Sequence, residues 1–263
     1  MSRPFALLRA VSPRYAECLV RADPRPDIDP ARAAAQHAAY AAALRAAGFD
    51  VEVLPAIDAP DGCFVEDCAV VLDDEVAVAT RPGAPSRRGE VPTLIAALAP
   101  RRRIERIEAP ATLDGGDVLR VGRTLFVGRS ARTNAGGAAA LGEIAGRRGL
   151  EVRALPVRDA LHLESAVSAL DDTAVLLDPH RVDPAWFEGL DVIETAEGEG
   201  DGANVLRLPS PRHVLAAAEF AGTRARLERA GRAVTAVELS EFTKGDAGPT
   251  CLSVAWRGSA GAE

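Results

Sequence analysis

The chain repeats itself, and the repeat limits its fold more than any composition could. A polar opening, a short apolar strand, a turn and a second apolar strand recur in FVEDCAVVLDDEVAVAT, LDGGDVLRVGRTLFVG, LHLESAVSALDDTAVLL and GANVLRLPSPRHVLAAA. A fifth copy, PTCLSVAW, begins the same way and stops at Trp256. The openings fall at Glu66 and Asp67, then Asp114, His162, Asn204 and Cys251, spaced by 47, 48, 42 and 47 residues from Asp67 onward. A fixed period in the range of roughly 20 to 50 residues marks one supersecondary unit built several times. Units arranged around an axis bring equivalent positions together at the centre. Asp114, His162 and Cys251 are therefore candidates for one shared site.

After its second strand each full copy continues into a helix, a glycine and another strand. Residues 30–48 show this best: Asp29 fits an N-cap, Pro30 the first helical position, and Gly48 the stop before DVEVLPA. PTLIAALAP, GGAAALGEIAGRRG, DPAWFEG and EFAGTRARLERAG stand in the same place later, each followed by a strand. The unit reads strand, strand, helix, strand, an α/β pattern with one sheet face under helices. One such unit cannot bury both faces of its sheet, but five around an axis can. The segment FALLRAV supplies the second strand missing from the fifth copy. Residues 12–30, with Pro24, Pro26 and Pro30, form a long irregular stretch expected to lie over the ring centre as a lid.

With 263 residues, 48% of them hydrophobic, and nothing that reads as a linker, residues 1–263 are expected to form a single catalytic domain. The net charge of −7 argues against nucleic acid or an anionic membrane as the main partner and suits a cationic substrate. The start MSRPFALLRAV is too soon interrupted for a signal peptide, and no apolar run approaches a spanning helix. A cytoplasmic location is expected, where Cys18, Cys63, Cys68 and Cys251 stay thiols. Lys244 is the only lysine in an arginine-rich chain, so an ordinary arginine carries little functional weight. A homodimer is compatible with the sequence, which does not fix the oligomeric state.

Cys251 lies in a Gly-Pro-Thr-Cys turn entering a strand. A free cysteine is most often a small buried hydrophobe. What recommends this one is a histidine and a carboxylate at matching places of the repeat, since a thiolate nucleophile needs a proton shuttle and the shuttle an orienting acid. His162 stands at a strand opening, whereas His37 falls on the Ala-rich helix and His180 in a turn. Asp114 begins Asp-Gly-Gly-Asp, a tight turn in which Asp117 can hold the backbone. Asp61, Glu66 and Asp67 put three acids within seven residues; read as a strand, Asp61 and Asp67 alternate with Phe64 and Glu66. Carboxylates so gathered repel one another unless a cation lies between them. Arg87, with Arg88, and Arg132 occupy equivalent places after the second strands, where paired arginines can hold a carboxylate. No zinc spacing and no dinucleotide turn is present, so neither a metal nor an organic cofactor is expected.

Taken together, DGCFVEDCAVV, TRPGAPSRRGEV, TLDGGDVL, FVGRSARTN, HLES and PTCLSV resemble the dimethylarginine dimethylaminohydrolases of the guanidino-group-modifying superfamily, from Phe5 to Arg257. The resemblance implies a five-fold pseudosymmetric α/β propeller and a methylated arginine as small-molecule substrate. It places the nucleophile at Cys251, the general acid/base at His162 and its carboxylate partner at Asp114. It matches Asp67 and Glu66 to guanidinium contacts with Asp61 and Phe64 beside them, Arg87 and Arg132 to substrate-carboxylate contacts, and Leu19 to a lid contact. Some members carry glutamate at the position of Asp114, or a second cysteine where Leu252 stands here. The rival enzymatic readings are an arginine deiminase or a hydrolase of another substituted guanidine. The rival of another class is a propeller-fold binding protein, which would need no assembled cysteine, histidine and carboxylate.

Overall fold

The computed structural model describes residues 3–257. Strand β1 (Phe5–Arg9) is followed by helix α1 (Pro30–Ala46) and by β2 (Asp50–Leu54), parallel to β1 with Phe5 beside Asp50. Asp29 caps α1 as its sequence requires, its carboxylate accepting from the N–H groups of Ala31 and Arg32. β3 (Ala69–Val71) then pairs antiparallel with β4 (Val76–Ala79), α2 (Val91–Leu98) crosses over, and β5 (Arg103–Arg106) returns parallel to β4. The same path is traced by β6 (Val118–Val121), β7 (Thr124–Arg129), α3 (Ala135–Gly146) and β8 (Glu151–Pro156). It recurs in β9 (Val167–Ala169), β10 (Ala174–Leu177) and β11 (Asp191–Glu194), and in β12 (Val205–Arg207), β13 (His213–Ala217), α4 (Ala221–Arg229) and β14 (Ala233–Val237). After the single turn α5 (Ser240–Thr243), β15 (Val254–Trp256) runs antiparallel to β1, Trp256 opposite Phe5.

The described residues thus form five three-stranded sheets, and β1 completes the fifth unit as expected. The middle strands carry the core. Every residue of VAVA in β4 and AVLL in β10 is buried, while the outer strands β5 and β11 are largely exposed. A middle strand has a helix, or in the third full unit a 3₁₀ turn, on one face and a neighbouring unit on the other, which is why its sequence is apolar throughout instead of alternating.

Two elements differ from the sequence expectation. DPAWFEG forms only a 3₁₀ turn, Pro184–Phe187. The backbone leaves helical geometry at Glu188, ψ 132°, before a full α turn can close, and the buried Phe187 covers the sheet by packing on Phe126, centroids 4.9 Å apart. The five openings are likewise not strand starts. Each is a 3₁₀ turn just before the first strand: Val65–Cys68, Gly115–Asp117, Leu163–Ser165, Gly200–Ala203 and Thr250–Leu252.

These turns are tied into a closed ring. Gly116 N–H donates to Asp67 Oδ1 at 3.0 Å, Leu163 N–H to Asp117 Oδ1 at 3.0 Å, and Asn204 Nδ2 to the Glu164 carbonyl at 3.0 Å. Thr250 N–H donates to Asn204 Oδ1 at 3.0 Å, and the Thr250 hydroxyl returns to Glu66 Oε2 of the first turn at 2.9 Å. Glycine is required where the turns meet: a Cβ on Gly115 would lie 1.9 Å from the carbonyl oxygen of Glu66.

The stretch 12–30 folds back over this ring. Tyr15 is fully buried, packs on Phe64 and Phe242 with centroids 5.8 and 5.4 Å away, and donates to the Glu241 carbonyl at 3.1 Å. Leu19 N–H donates to Asp61 Oδ1 at 3.0 Å, and the Arg21 guanidinium pairs with Asp246 at 3.1 Å.

Candidate active site

Asp114 and His162 each occupy the N-cap of a ring turn. Their side chains meet: His162 Nε2 lies 3.0 Å from Asp114 Oδ2 and 3.7 Å from Asp67 Oδ1. Asp114 is closed to solvent, and its other oxygen accepts the Gly83 N–H at 2.8 Å. Asp117 holds the His162 turn from below through Leu163 N–H, as its place after the two glycines suggested. Burial works against a charged His162, but Asp67, the hydrogen bond to Asp114 and the charge of Asp117 outweigh it and raise the imidazole to about 9. At neutral pH it is an imidazolium.

Behind the imidazole stands a buried ionic cluster. Arg87, only 3% exposed, pairs with Asp67 and with Glu90 at 2.7 Å, and donates to the Phe64 carbonyl at 2.8 Å. Burial disfavours the charge on Asp67, but His162 and Arg87 prevail and hold the carboxyl below its usual range. The sequence treats Arg87 and Arg132 alike as rim cations. In the structure Arg87 spends its guanidinium on groups of the chain, while Arg132 makes one long contact, 3.5 Å to Asp114 Oδ2.

Cys251 is partly exposed, on the turn bracketed by Tyr40 of α1. The Tyr40 hydroxyl donates to the Pro249 carbonyl and meets the Ser253 hydroxyl, both at 2.8 Å. Loss of water raises the thiol first, and the charges of Glu66 and Asp67 add to this, leaving it well above its ordinary value. A small cavity joins Cys251 to His162, Asp61, Phe64, Asp67, Arg87, Arg132 and Leu19. Leu161, Gly245, Asp246 and Ala247 complete its lining. These four escaped the sequence reading: three of them lie outside the repeated phrase, and only Leu161 has a signal, its place before His162.

Glu66 is the site residue that the structure places elsewhere. Consecutive residues of a 3₁₀ turn point about 120° apart, so Asp67 faces the Cys251 cavity while Glu66 faces a separate cavity of about 750 Å³. That space is the ring's central channel, lined by first-strand residues such as Val70, Leu119, Ser168, Leu206 and Ala255. At its floor Glu66 meets Glu164 and Thr250. Burial, the charge of Glu164 and a hydrogen bond between the two acids push Glu66 well above the carboxylate range, and burial lifts Glu164 to about 7. Like charge and burial together disfavour ionising both acids.

The repeat phase is also looser than matching openings imply. Asp67 stands two residues before its first strand, Cys251 three, Asp114 four, His162 five and Asn204 one. Whole turns converge on the centre, and each offers whichever residue faces it. Among the described residues, Asp67, Asp114 and His162 bring possible metal-ligand atoms within 4.8 Å of one another. Their donors are already engaged, His162 with Asp114 and Asp67 with Arg87.

No family model matches the chain. Individual relatives do. A curated N(G),N(G)-dimethylarginine dimethylaminohydrolase of Streptomyces coelicolor is 42% identical over 255 residues, 96% of each chain. That of Pseudomonas aeruginosa is 36% identical over 230 residues, 86% of this chain and 89% of its own. The solved structure of a cysteine-to-serine variant of the Pseudomonas aeruginosa enzyme in complex with citrulline superposes with a TM-score of 0.91 at 31% identity, covering 97% of this chain and all of that one. Five sheets, one ring of turns and this degree of identity over nearly the whole length lead to one conclusion: the chain belongs to the dimethylarginine dimethylaminohydrolase family.

Proposed function

We propose that this protein hydrolyses N-omega-methylated arginines, asymmetric dimethylarginine and monomethylarginine, to L-citrulline and dimethylamine or methylamine. The carrying observation is one cavity that joins a partly exposed cysteine, a histidine held charged and two carboxylates suited to a guanidinium. The names of the relatives and the citrulline-bound neighbour support the same reading.

Asp61 and Asp67 receive the cationic group. Its charge offsets the carboxylate field that holds the Cys251 thiol up, so the thiol loses its proton to solvent as substrate binds. The thiolate attacks the guanidinium carbon, and the S–C bond forms as the C=N electrons move to nitrogen. The His162 imidazolium protonates the departing amine as its C–N bond breaks, leaving a thiouronium on Cys251. Neutral His162 then takes a proton from water, hydroxide adds to the same carbon, and the S–C bond breaks as the carbonyl of citrulline forms and its hydroxyl proton leaves. Arg132 anchors the substrate carboxylate, and Arg87 holds Asp67 in place. The cavity, about 20 Å³, is near the room of one water. The strap carrying the 40%-exposed Leu19 therefore swings out to admit substrate.

This reading makes residues 1–263 one catalytic domain in the cytoplasm, working without metal or organic cofactor and, at a net charge of −7, without nucleic acid or membrane as partner. No helix of the described residues is long and apolar enough to cross a membrane. The test is citrulline release from asymmetric dimethylarginine and, separately, from arginine, with Cys251→Ser as control. Release from the methylated substrate alone is expected. Release chiefly from arginine would make the protein a deiminase, and turnover by the folded Cys251→Ser variant would remove the nucleophile assignment.

A further inference from the structure

Asn204 opens the fourth repeat, and the proposed chemistry leaves it without a part. It is nevertheless buried, 3% exposed, with its carboxamide fully engaged. Oδ1 accepts Thr250 N–H at 3.0 Å, while Nδ2 donates to Thr250 Oγ1 and to the Glu164 carbonyl, both at 3.0 Å. A flipped amide would set donor against donor at Thr250 N–H and acceptor against acceptor at the Glu164 carbonyl, so the orientation is fixed. A hydroxyl has one proton. Thr250 Oγ1 accepts from Asn204 and donates its proton to the acid pair beyond, with Glu66 Oε2 2.9 Å away. The loop before Cys251 is moulded to the same side chain: a Cβ on Gly248 would lie 2.5 Å from Asn204 Cγ.

We propose that Asn204 is a positioning residue for the nucleophile: its carboxamide clasps Thr250, sets the turn that presents Cys251, and through the Thr250 hydroxyl keeps Glu66 facing the channel instead of the sulfur. The proposal rests on Cys251 as the nucleophile. The charged groups about that residue are Glu66 and Asp67 on the first turn, His162 and Glu164 on the third, and Asp61, Arg87, Arg132 and Asp246 around the cavity. Of the acids, Asn204 reaches Glu66 through the Thr250 hydroxyl and Glu164 at its carbonyl; released from that hydroxyl, Glu66 is free to turn toward the thiol.

The experiment pairs turnover of asymmetric dimethylarginine with the pH midpoint of Cys251 alkylation by iodoacetamide, each in protein shown to be folded by circular dichroism. Asn204→Ala should lower kcat about ten- to a hundred-fold, the scale of losing a buried hydrogen-bonded clasp. KM should change less than about threefold, since nothing that touches substrate is removed, and the alkylation midpoint should move upward. Thr250→Val, which deletes the hydroxyl at constant shape, should move the midpoint in the same direction, and Thr250→Ser should restore it. If Asn204→Ala does not fold, Asn204→Leu keeps the volume, removes the carboxamide without adding charge, and gives the same readout. An alkylation midpoint that stays put in folded Asn204 and Thr250→Val variants overturns the proposal. The midpoint is read without turnover, so this failure is distinct from a parent protein that releases no citrulline, which would sink the proposed reaction instead.

Discussion

Asp114→Asn replaces one oxygen by an amide nitrogen at a position closed to solvent, and the outcome follows from which atom goes where. Gly83 N–H, 2.8 Å from Asp114 Oδ1, needs an acceptor and so keeps the amide oxygen of the variant on its side. The NH₂ group then faces His162 Nε2, where Asp114 Oδ2 now lies at 3.0 Å. A donor there favours an unprotonated Nε2, so the variant stabilises the neutral imidazole. The parent imidazole is raised from 6.5 to about 9. At ~1.36 kcal/mol per unit this is about 3 kcal/mol in favour of the imidazolium, net of burial and shared among Asp67, Asp114 and Asp117. A hydrogen bond to a charged group contributes ~1.5–3 kcal/mol, so losing the Asp114 share should lower the His162 midpoint by roughly one to two pH units. The general acid would then be largely lost at mildly alkaline pH, where the parent retains it. The assay is the pH dependence of kcat by citrulline release, with the His162 Cε1–H resonance followed by NMR. A His162 midpoint still near 9 in the folded variant would refute the reasoning, because it would mean that the 3.0 Å contact does not set the protonation state.

Arg132→Gln should raise KM for asymmetric dimethylarginine about tenfold or more, the scale of one charge-assisted bond to a carboxylate; an unchanged KM in steady-state kinetics would count against Arg132 as the anchor. A His162 midpoint raised on folding also links stability to pH. The stabilisation is fully present below 6.5 and is lost as pH rises through about 9, so denaturant unfolding should find the parent up to about 3 kcal/mol less stable at pH 9.5 than at pH 6 from this group. His162→Gln should remove that share, and equal pH slopes for the two proteins would contradict it.

The ring was legible because its cause is periodic. A sheet that must bury both faces repeats its apolar strands, and β4, β7, β10 and β13 stand where EVAVAT, TLFVG, TAVLL and HVLAAA announced them. FALLRAV could be assigned to the fifth unit for the same reason, since an incomplete repeat requires a partner. Glu66 was paired with Asp67 by resemblance; strand alternation would already have parted the two residues, and the 3₁₀ turn does so too, sending them into two different cavities. Arg87 read as a rim cation because a single sequence shows a charge and not the Asp67 and Glu90 that enclose it. The parts of Gly245, Asp246 and Ala247 were invisible for a plainer reason: they come from the connection between units, where no period operates.

The pairing of β1 with β15 sets an order on the protein's own making. Phe5 to Leu7 find Trp256 to Val254 only after some 250 intervening residues have been synthesised, and contacts so distant in sequence are among the slowest to form. The same last segment brings Cys251 and the Thr250 bridge from Asn204 back to Glu66. A chain grown through its four full units carries Asp114 and His162 and still lacks Cys251, the proposed nucleophile. The pairing that closes the ring of sheets is thus also the one that brings Cys251 to its cavity.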